Sequence, residues 1–124
     1  MILPVSTTTG NYEIHFVNEG LDSLPQKLLE ITDARTVVIG TNNLVYNLYG
    51  IQLQQSLEEN GFSVIVLSVP DGEEHKTIAS YISLVNQIDG MPIDRKTPLI
   101  ALGGGVTGDL IGFVASTILR GLPL

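Results

Sequence analysis

Short, β-branched apolar runs alternate with helix-length segments along most of this chain, and this alternation constrains the fold more than any other feature. The runs with strand composition are residues 36–39, 62–69 and 99–102. The segments with helical character are residues 43–60, 77–88 and 106–119. Strands connected through helices of this length form βαβ crossovers, so the sequence predicts one α/β domain whose parallel sheet is covered by helices on both faces.

The N-terminal residues predict a different element, a β-hairpin with strands at 2–6 and 12–17. In the second strand three apolar residues alternate with polar ones, namely Tyr12, Ile14 and Phe16. This two-residue period is typical of a strand with one buried face. We therefore expect His15 to lie at solvent or at a sheet edge, without a functional role.

Spacing also predicts which helix residues face the core. Ser23 is the expected N-cap of a first helix that carries Pro25 in its first turn, where a missing N–H costs little. The expected inward residues of this helix are Leu24, Leu28, Leu29 and Ile31. The helix at 77–88 has its apolar stripe at residues 78, 81, 82, 85 and 88. We expect Gly61 to stop the helix at 43–60.

Charge and cysteine content exclude several classes of protein. Six basic residues against 13 acidic ones give a net charge of −7, and scattered cations do not neutralise the phosphates of a nucleic acid. The absence of cysteine excludes disulfides and thiolate metal sites. Two histidines alone do not form an ordinary zinc site, so no metal ligand is predicted in this chain.

Hydropathy indicates a chain that does not enter a membrane. The N-terminus has neither a basic segment nor a long apolar segment of the kind found in signal peptides. Within the apolar C-terminal region only residues 110–119 are free of charges and glycine runs, about half of the ~20 residues that a bilayer span requires. We expect a cytoplasmic protein that binds neither nucleic acid nor membrane.

The strongest chemical signal is the glycine-rich stretch from Gly103 to Asp109, which follows a predicted strand and opens a predicted helix. Glycines let a ligand approach the backbone, and the free N–H groups at a helix N-terminus attract anions. Gly103, Gly105 and Gly108 match the pattern G-x-G-x-x-G. No acidic residue follows about 20 residues later, and the loop lies late in the domain, so a plain Rossmann fingerprint is disfavoured.

Two simpler explanations of this stretch stay open. The glycines can serve only the close packing of a helix on a sheet, and Asp109 can be a first-turn acid favoured by the helix dipole. Asp109 is nevertheless the only charge between Lys96 and Arg120 in an otherwise apolar stretch. An acid in such a place is expected to have a specific partner.

A second loop, residues 71–76, follows the predicted strand that ends at Pro70. Both loops leave the carboxyl ends of parallel strands, so we expect them on the same rim, where open α/β sheets bind ligands. Glu73 is then placed to accept ribose hydroxyls, and Lys76 to balance a phosphate. The alternative is a solvated acidic turn before a helix that begins at Thr77.

Taken together, the two loops resemble those of the 3-dehydroquinate synthase family of zinc- and NAD-dependent cyclases. The most specific matches are residues 94–96, the run from 99 to 121, and residues 70–76 at the family's distance upstream. The resemblance covers the whole chain as the first third of such an enzyme. It implies a Rossmann-like NAD-binding domain over residues 1–124, preceded by the β-hairpin, with a helical C-terminal domain for metal and substrate outside this chain.

The resemblance also implies roles for individual residues. The adenosine side of NAD would lie at 71–76, with Glu73 and Lys76 as principal contacts, and the pyrophosphate and nicotinamide ribose at 105–109. Arg120 matches an arginine that contacts the substrate's phosphate; alternatively it is a cation favoured at a helix C-terminus. His75 departs from the family pattern and is given no titration role. The full set of implied NAD-binding residues is Asn42, Asp71, Gly72, Glu73, Glu74, His75, Lys76, Gly104, Gly105, Val106, Thr107, Gly108 and Asp109.

By the same resemblance the full-length enzyme is a homodimer of the shikimate pathway, which makes aromatic amino acids. It converts a phosphorylated sugar acid, 3-deoxy-arabino-heptulosonate 7-phosphate, to 3-dehydroquinate and phosphate. Its zinc or other divalent metal and its catalytic side chains belong to the later domain, so we expect this chain alone to be inactive. Residues 120–124 look like a turn into another strand, as in a sequence cut within a fold.

Two alternative functions remain open. A related sugar-phosphate cyclase or a glycerol-dehydrogenase-like polyol dehydrogenase also carries a triple-glycine loop before a helix, and its specificity resides in later residues. A non-catalytic nucleotide-binding module would need no further domain, but an apolar last strand would then be an unpaired edge.

Overall fold

The structure is a computed structural model that describes residues 1–18 and 20–124. Within these residues the strands are β1 Ile2–Ser6, β2 Asn11–His15, β3 Thr36–Thr41, β4 Ser63–Ser68 and β5 Leu99–Leu102. The helices are α1 Leu24–Ile31, α2 Asn43–Val45, α3 Ile51–Glu59, α4 Ile78–Ile88 and α5 Gly105–Thr117. A π-helical segment, Tyr46–Gly50, joins α2 to α3, and short 3-10 turns occupy Glu73–His75 and Ile118–Arg120.

β3 is the central strand of a three-stranded parallel sheet, with β4 on one side and β5 on the other. Its residues from Val37 to Thr41 are buried, as expected for a parallel strand with helices on both faces. Helices α1 and α3 pack on the face of Val37 and Ile39, whereas α4 and α5 pack on the face of Val38. The predicted Rossmann-like α/β architecture is therefore confirmed, and β5 has the predicted bounds.

Close packing between sheet and helix occurs at Gly40 in β3. A Cβ atom at this position would overlap the side chain of Ile111 from α5, which is fully buried. Gly40 thus lets α5 lie directly on the central strand. Sequence reasoning missed this glycine, because its partner is distant in the chain and no local pattern connects the two residues.

The N-terminal hairpin is confirmed, but its half-buried strand is not. Ile2 pairs with His15 and Ser6 with Asn11, so β2 ends at His15 and does not reach residue 17. The hairpin forms a separate two-stranded sheet, and every residue of β2 is exposed because no second layer of the described chain covers it. His15 is exposed as predicted, with its ring nitrogens 3.0 Å from Glu13 Oε2 and from Lys27 Nζ.

Several helix details differ from the predictions. Ser23 precedes α1, but its backbone is already helical and its side chain makes no capping hydrogen bond. Ile31, expected to face inward, is 79% exposed because α1 ends there and buries Pro25 and Leu28 instead. In α4, Ile78 and Ile82 are exposed. The buried face of α4 is set by its contact with the sheet and α5, and it consists of Ser80, Leu84 and Ile88.

The helix ends follow local backbone conformation. The helical run after β3 stops before Gly61, as predicted, and Gly61 has a φ of 89°. Helix α5 ends at Thr117, two residues earlier than predicted, because Ile118 has an extended backbone with a φ of −79° and a ψ of 139°. Leu119 and Arg120 then have left-handed φ values of 48° and 67°. The strand expected after residue 120 is absent from the structure, although the Pro123 carbonyl accepts a 2.8 Å hydrogen bond from the Leu99 N–H.

Among the described helices, none combines the length and the apolar character that crossing a bilayer demands.

The Gly40 contact predicts a measurable cost of overpacking. Gly40→Ala should lower the free energy of unfolding by about 1–3 kcal/mol, because the added Cβ would overlap Ile111, a fully buried side chain that would have to shift within the core. Chemical denaturation of the purified chain measures the change. Gly10→Ala is the matched control, since a Cβ there meets no atom within 4 Å. Equal stability of Gly40→Ala and the wild type would contradict the packing role.

Candidate functional site

Three connections meet at the carboxyl end of the sheet. Asn42 follows the central strand β3, residues 71–76 follow β4, and Gly103 and Gly104 follow β5. The chain leaves β3 towards the α3 face, but it leaves β4 and β5 towards the opposite face. Neighbouring strands whose connections diverge in this way open a crevice above the sheet, which is where ligands bind in open α/β folds.

The glycine loop turns sharply from β5 into α5. At Gly103, with a φ of 157°, a Cβ atom would lie 2.7 Å from Thr107 Oγ1, so this turn requires glycine. At Gly104, Gly105 and Gly108, by contrast, a Cβ would meet no atom within 4 Å. Packing within the described chain therefore does not require glycine at these three positions, and the explanation by close packing applies to Gly103 and to Gly40 instead.

The N-terminus of α5 is left uncapped by protein side chains. Gly104 is the N-cap residue and has no side chain to accept a hydrogen bond from the first turn. The Gly108 N–H donates to the Gly104 carbonyl at 3.0 Å and begins the intrahelical ladder. The N–H groups of Gly105, Val106 and Thr107 precede that ladder and are available to an anion, which the helix dipole also favours.

An ion pair joins the two loops of the rim. The ammonium of Lys76, after β4, contacts the carboxylate of Asp109 in α5, and both side chains are about half exposed. The prediction that both loops share one rim is thereby confirmed, as is the prediction that Asp109 has a specific partner. The hydrogen bond and the charge of Asp109, together with the charge of Glu73, raise the pKa of Lys76 above its usual 10.5.

The remainder of the second loop is a structured but exposed turn. Gly72 has a φ of 102°, and the turn Glu73–His75 follows it with His75 Nε2 3.9 Å from Glu74 Oε1. The hydroxyl of Thr77 then accepts the Ser80 N–H at 3.2 Å and caps α4. The loop thus both begins a helix and carries Asp71, Glu73 and Glu74 into solvent at the rim.

Asn42 is the buried member of the site. Its side chain is 7% exposed, and its Oδ1 accepts the Val45 N–H at 2.9 Å, which caps α2. This hydrogen bond fixes the amide above β3, between the two loops. Arg120 lies elsewhere: it follows the far end of α5, and a 13-residue helix is about 20 Å long, so the structure does not bring Arg120 to the rim.

Sequence reasoning missed a cavity that adjoins the ion pair. It has a volume of about 300 Å³ and lies between α4 and α5, where the rings of Tyr81 and Phe113 have centroids 4.8 Å apart. Ile78, which spacing predicted to face the core, lines this cavity instead. The sequence feature that could have predicted this cavity is the pair of apolar residues Ile78 and Tyr81, which closely follow the polar loop at 71–76.

A metal site of ordinary composition is not formed by the residues in the described ranges 1–18 and 20–124. No three side chains of the types His, Cys, Asp and Glu come together there in a way that could hold an ion.

The ion pair predicts the titration of Lys76. Asp109→Asn should lower the pKa of Lys76 towards 10.5, which NMR titration of the side-chain signals measures. Because the folded-state pKa is raised, the pair stabilises the fold fully below pH 10.5, and this contribution is lost as the pH rises through the raised value. A Lys76 titration unchanged by Asp109→Asn would show that the two groups do not interact in solution.

The chain is similar to proteins of known family. The family model described as 3-dehydroquinate synthase N-terminal matches residues 66–124, which include both loops. A 3-dehydroquinate synthase of Latilactobacillus sakei subsp. sakei is 39% identical over 121 residues, covering 98% of this chain and 34% of the relative. The chain thus spans about a third of the length of that relative.

Solved structures show the same fold. A 2-deoxy-scyllo-inosose synthase, complexed with carbaglucose-6-phosphate, NAD+ and Co2+, has a TM-score of 0.83 at 20% identity, over 98% of this chain and 33% of that one. The 2-epi-5-epi-valiolone synthase of Streptomyces hygroscopicus subsp. jinggangensis 5008, with NAD+ and Zn2+ bound, has a TM-score of 0.62 at 30% identity, over 72% and 24% respectively. From its sequence and its fold, the chain belongs to the 3-dehydroquinate synthase family.

Proposed function

We propose that this chain binds NAD across the rim and forms the NAD-binding part of a 3-dehydroquinate synthase. The observation that carries the proposal is the Lys76–Asp109 ion pair, which draws the loop after β4 to the uncapped N-terminus of α5. One cation, a set of free N–H groups and several carboxylates then surround a single crevice. These are the groups that bind the pyrophosphate and the ribose hydroxyls of a dinucleotide.

The residues present fit such a cofactor. Gly104 and Gly105 leave open space next to the first N–H groups of α5, so a pyrophosphate can approach the backbone without meeting a side chain. Glu73 lies on the exposed loop within electrostatic reach of Lys76, as an acceptor for ribose hydroxyls. We assign to the cofactor the set Asn42, Asp71, Gly72, Glu73, Glu74, His75, Lys76, Gly104, Gly105, Val106, Thr107, Gly108 and Asp109.

In this proposal the chain binds and orients the cofactor and does not itself carry the chemistry. When bound, NAD supplies reversible hydride transfer at one alcohol carbon of the substrate. The first-turn N–H groups of α5 hold the pyrophosphate, Lys76 offsets its charge, and Glu73 with Asp109 fixes the orientation of the riboses. The metal ligands and the catalytic acids and bases would lie in parts of the enzyme outside residues 1–124.

The proposed parent enzyme converts 3-deoxy-arabino-heptulosonate 7-phosphate to 3-dehydroquinate and phosphate in the cytoplasm, as a metal-dependent homodimer with a helical second domain. Sequence identity supports this reaction over that of a sister cyclase: the 3-dehydroquinate synthase is 39% identical over 98% of the chain, whereas the valiolone synthase is 30% identical over 72%. We keep Arg120 as a proposed contact for the substrate's phosphate. Because Arg120 lies about 20 Å from the rim of its own chain, the substrate that it contacts would not be one bound at that rim.

Gly105→Val tests the backbone cradle. The new side chain would enter the open space at the N-terminus of α5, so we expect NAD affinity to fall about tenfold or more, equivalent to about 1.4 kcal/mol. The fold should survive, because no protein atom lies within 4 Å of the added Cβ. Calorimetric titration measures affinity and circular dichroism measures folding, with Gly10→Val as the control. Unchanged affinity would reject the cradle.

Glu73→Ala and Lys76→Ala separate a cofactor loop from a solvated turn. Each should weaken NAD binding by roughly 1–3 kcal/mol, the range for loss of a charged hydrogen-bond partner. The deficit of Lys76→Ala should shrink as added salt screens the cation, whereas that of Glu73→Ala should persist, because it reflects a short hydrogen bond. If both variants bind NAD as the wild type does, the loop is only a helix-initiating turn.

A further inference from the structure

Lys76 already has a charged partner before any ligand binds, and the consequence for the rim rests on the proposed NAD-binding function. The ammonium of Lys76 is already paired with the Asp109 carboxylate, and Glu73 adds a second negative charge in its surroundings. Within the described part of the chain, Lys76 and Asp109 each form an ion pair only with the other. A phosphate group therefore meets a neutralised cation at this rim.

The placement of Asp109 decides where that cation is held. Asp109 is the fifth residue of α5, one turn beyond the N–H groups of Gly105, Val106 and Thr107. Its carboxylate draws the Lys76 side chain from the neighbouring loop towards the positive end of the helix. The pair thus pre-positions the ammonium beside the groups that would bind an anion, but it also opposes that anion with a negative charge.

We propose that Asp109 is a positioning residue that holds Lys76 across the gap between the two loops and competes with the ligand's phosphates for its ammonium. Binding of a pyrophosphate then exchanges one partner of Lys76 for another. A small inorganic anion gains little from this exchange, because it has few other contacts. A dinucleotide, which also contacts the rest of the rim, offsets the same cost with those contacts, so Asp109 lowers the affinity for both ligands but leaves only the free phosphate weakly bound.

The solvent exposure of the pair makes the exchange feasible. The side chains of Lys76 and Asp109 are 45% and 57% exposed, so water can solvate either group as the pair opens. Exposed ion pairs are weak, and opening one changes an equilibrium constant by up to about fivefold. The competition is therefore weak enough for a ligand to overcome and large enough to measure.

The test is calorimetric titration of the 124-residue chain with inorganic pyrophosphate at low salt. Asp109→Asn should bind pyrophosphate about two- to fivefold more tightly than the wild type, and the gain should shrink as salt is added. The same substitution made together with Lys76→Met should give no comparable gain, because the released cation is missing. Glu59→Gln, which makes the same change in net charge at the end of α3, is the matched control and should leave pyrophosphate affinity unchanged.

The outcomes distinguish this inference from the proposed function. Equal or weaker pyrophosphate binding by Asp109→Asn, or an equal gain in the Lys76→Met background, overturns the competition. If the wild-type chain nevertheless binds NAD, the proposed function stands and only the role of Asp109 fails. If the folded wild-type chain binds no NAD, the proposed function fails as well. Asp109 is exposed, so circular dichroism should show that its substitution leaves the fold intact.

Discussion

The contact between the central strand and the last helix is the constraint on which the rest of this structure depends. Gly40 has no side chain, so Ile111 fills the space directly above β3 and α5 lies close against the sheet. The position of α5 in turn determines where its first-turn N–H groups and Asp109 are located. A displacement of α5 would move the glycine loop and break the ion pair to Lys76.

The rim combines one nearly buried side chain with several exposed, charged side chains. Asn42 is nearly buried and its side chain caps a helix, so that part of the crevice is preformed. Lys76, Glu73 and Asp109 are exposed and can change partners at little cost. In a chain with a net charge of −7, the ammonium of Lys76 is held beside the N-terminus of α5 by its ion pair with Asp109, so an anionic cofactor meets a cation that is in place but already paired.

The exposed apolar residues show how far local patterns can mislead. Ile78 and Ile82 occur at the helical spacing in α4, and Tyr12 and Ile14 occur at the strand spacing in β2. All four side chains are nevertheless exposed. Periodicity identifies the type of an element correctly because it depends on backbone geometry. It does not identify which face is buried, because burial depends on which other elements the chain places against that face.

The sequence by itself determined the order and type of nearly every element, the two loops and the family. Strand and helix periods, helix-stopping glycines and the run from Gly103 to Asp109 are local signals that need no knowledge of distant contacts. Only the tertiary structure decided that Gly40 is the packing glycine, that Lys76 is the partner of Asp109, and that Arg120 lies away from the rim. Each of these depends on the distance between residues far apart in the chain, which is set by how the helices pack on the sheet.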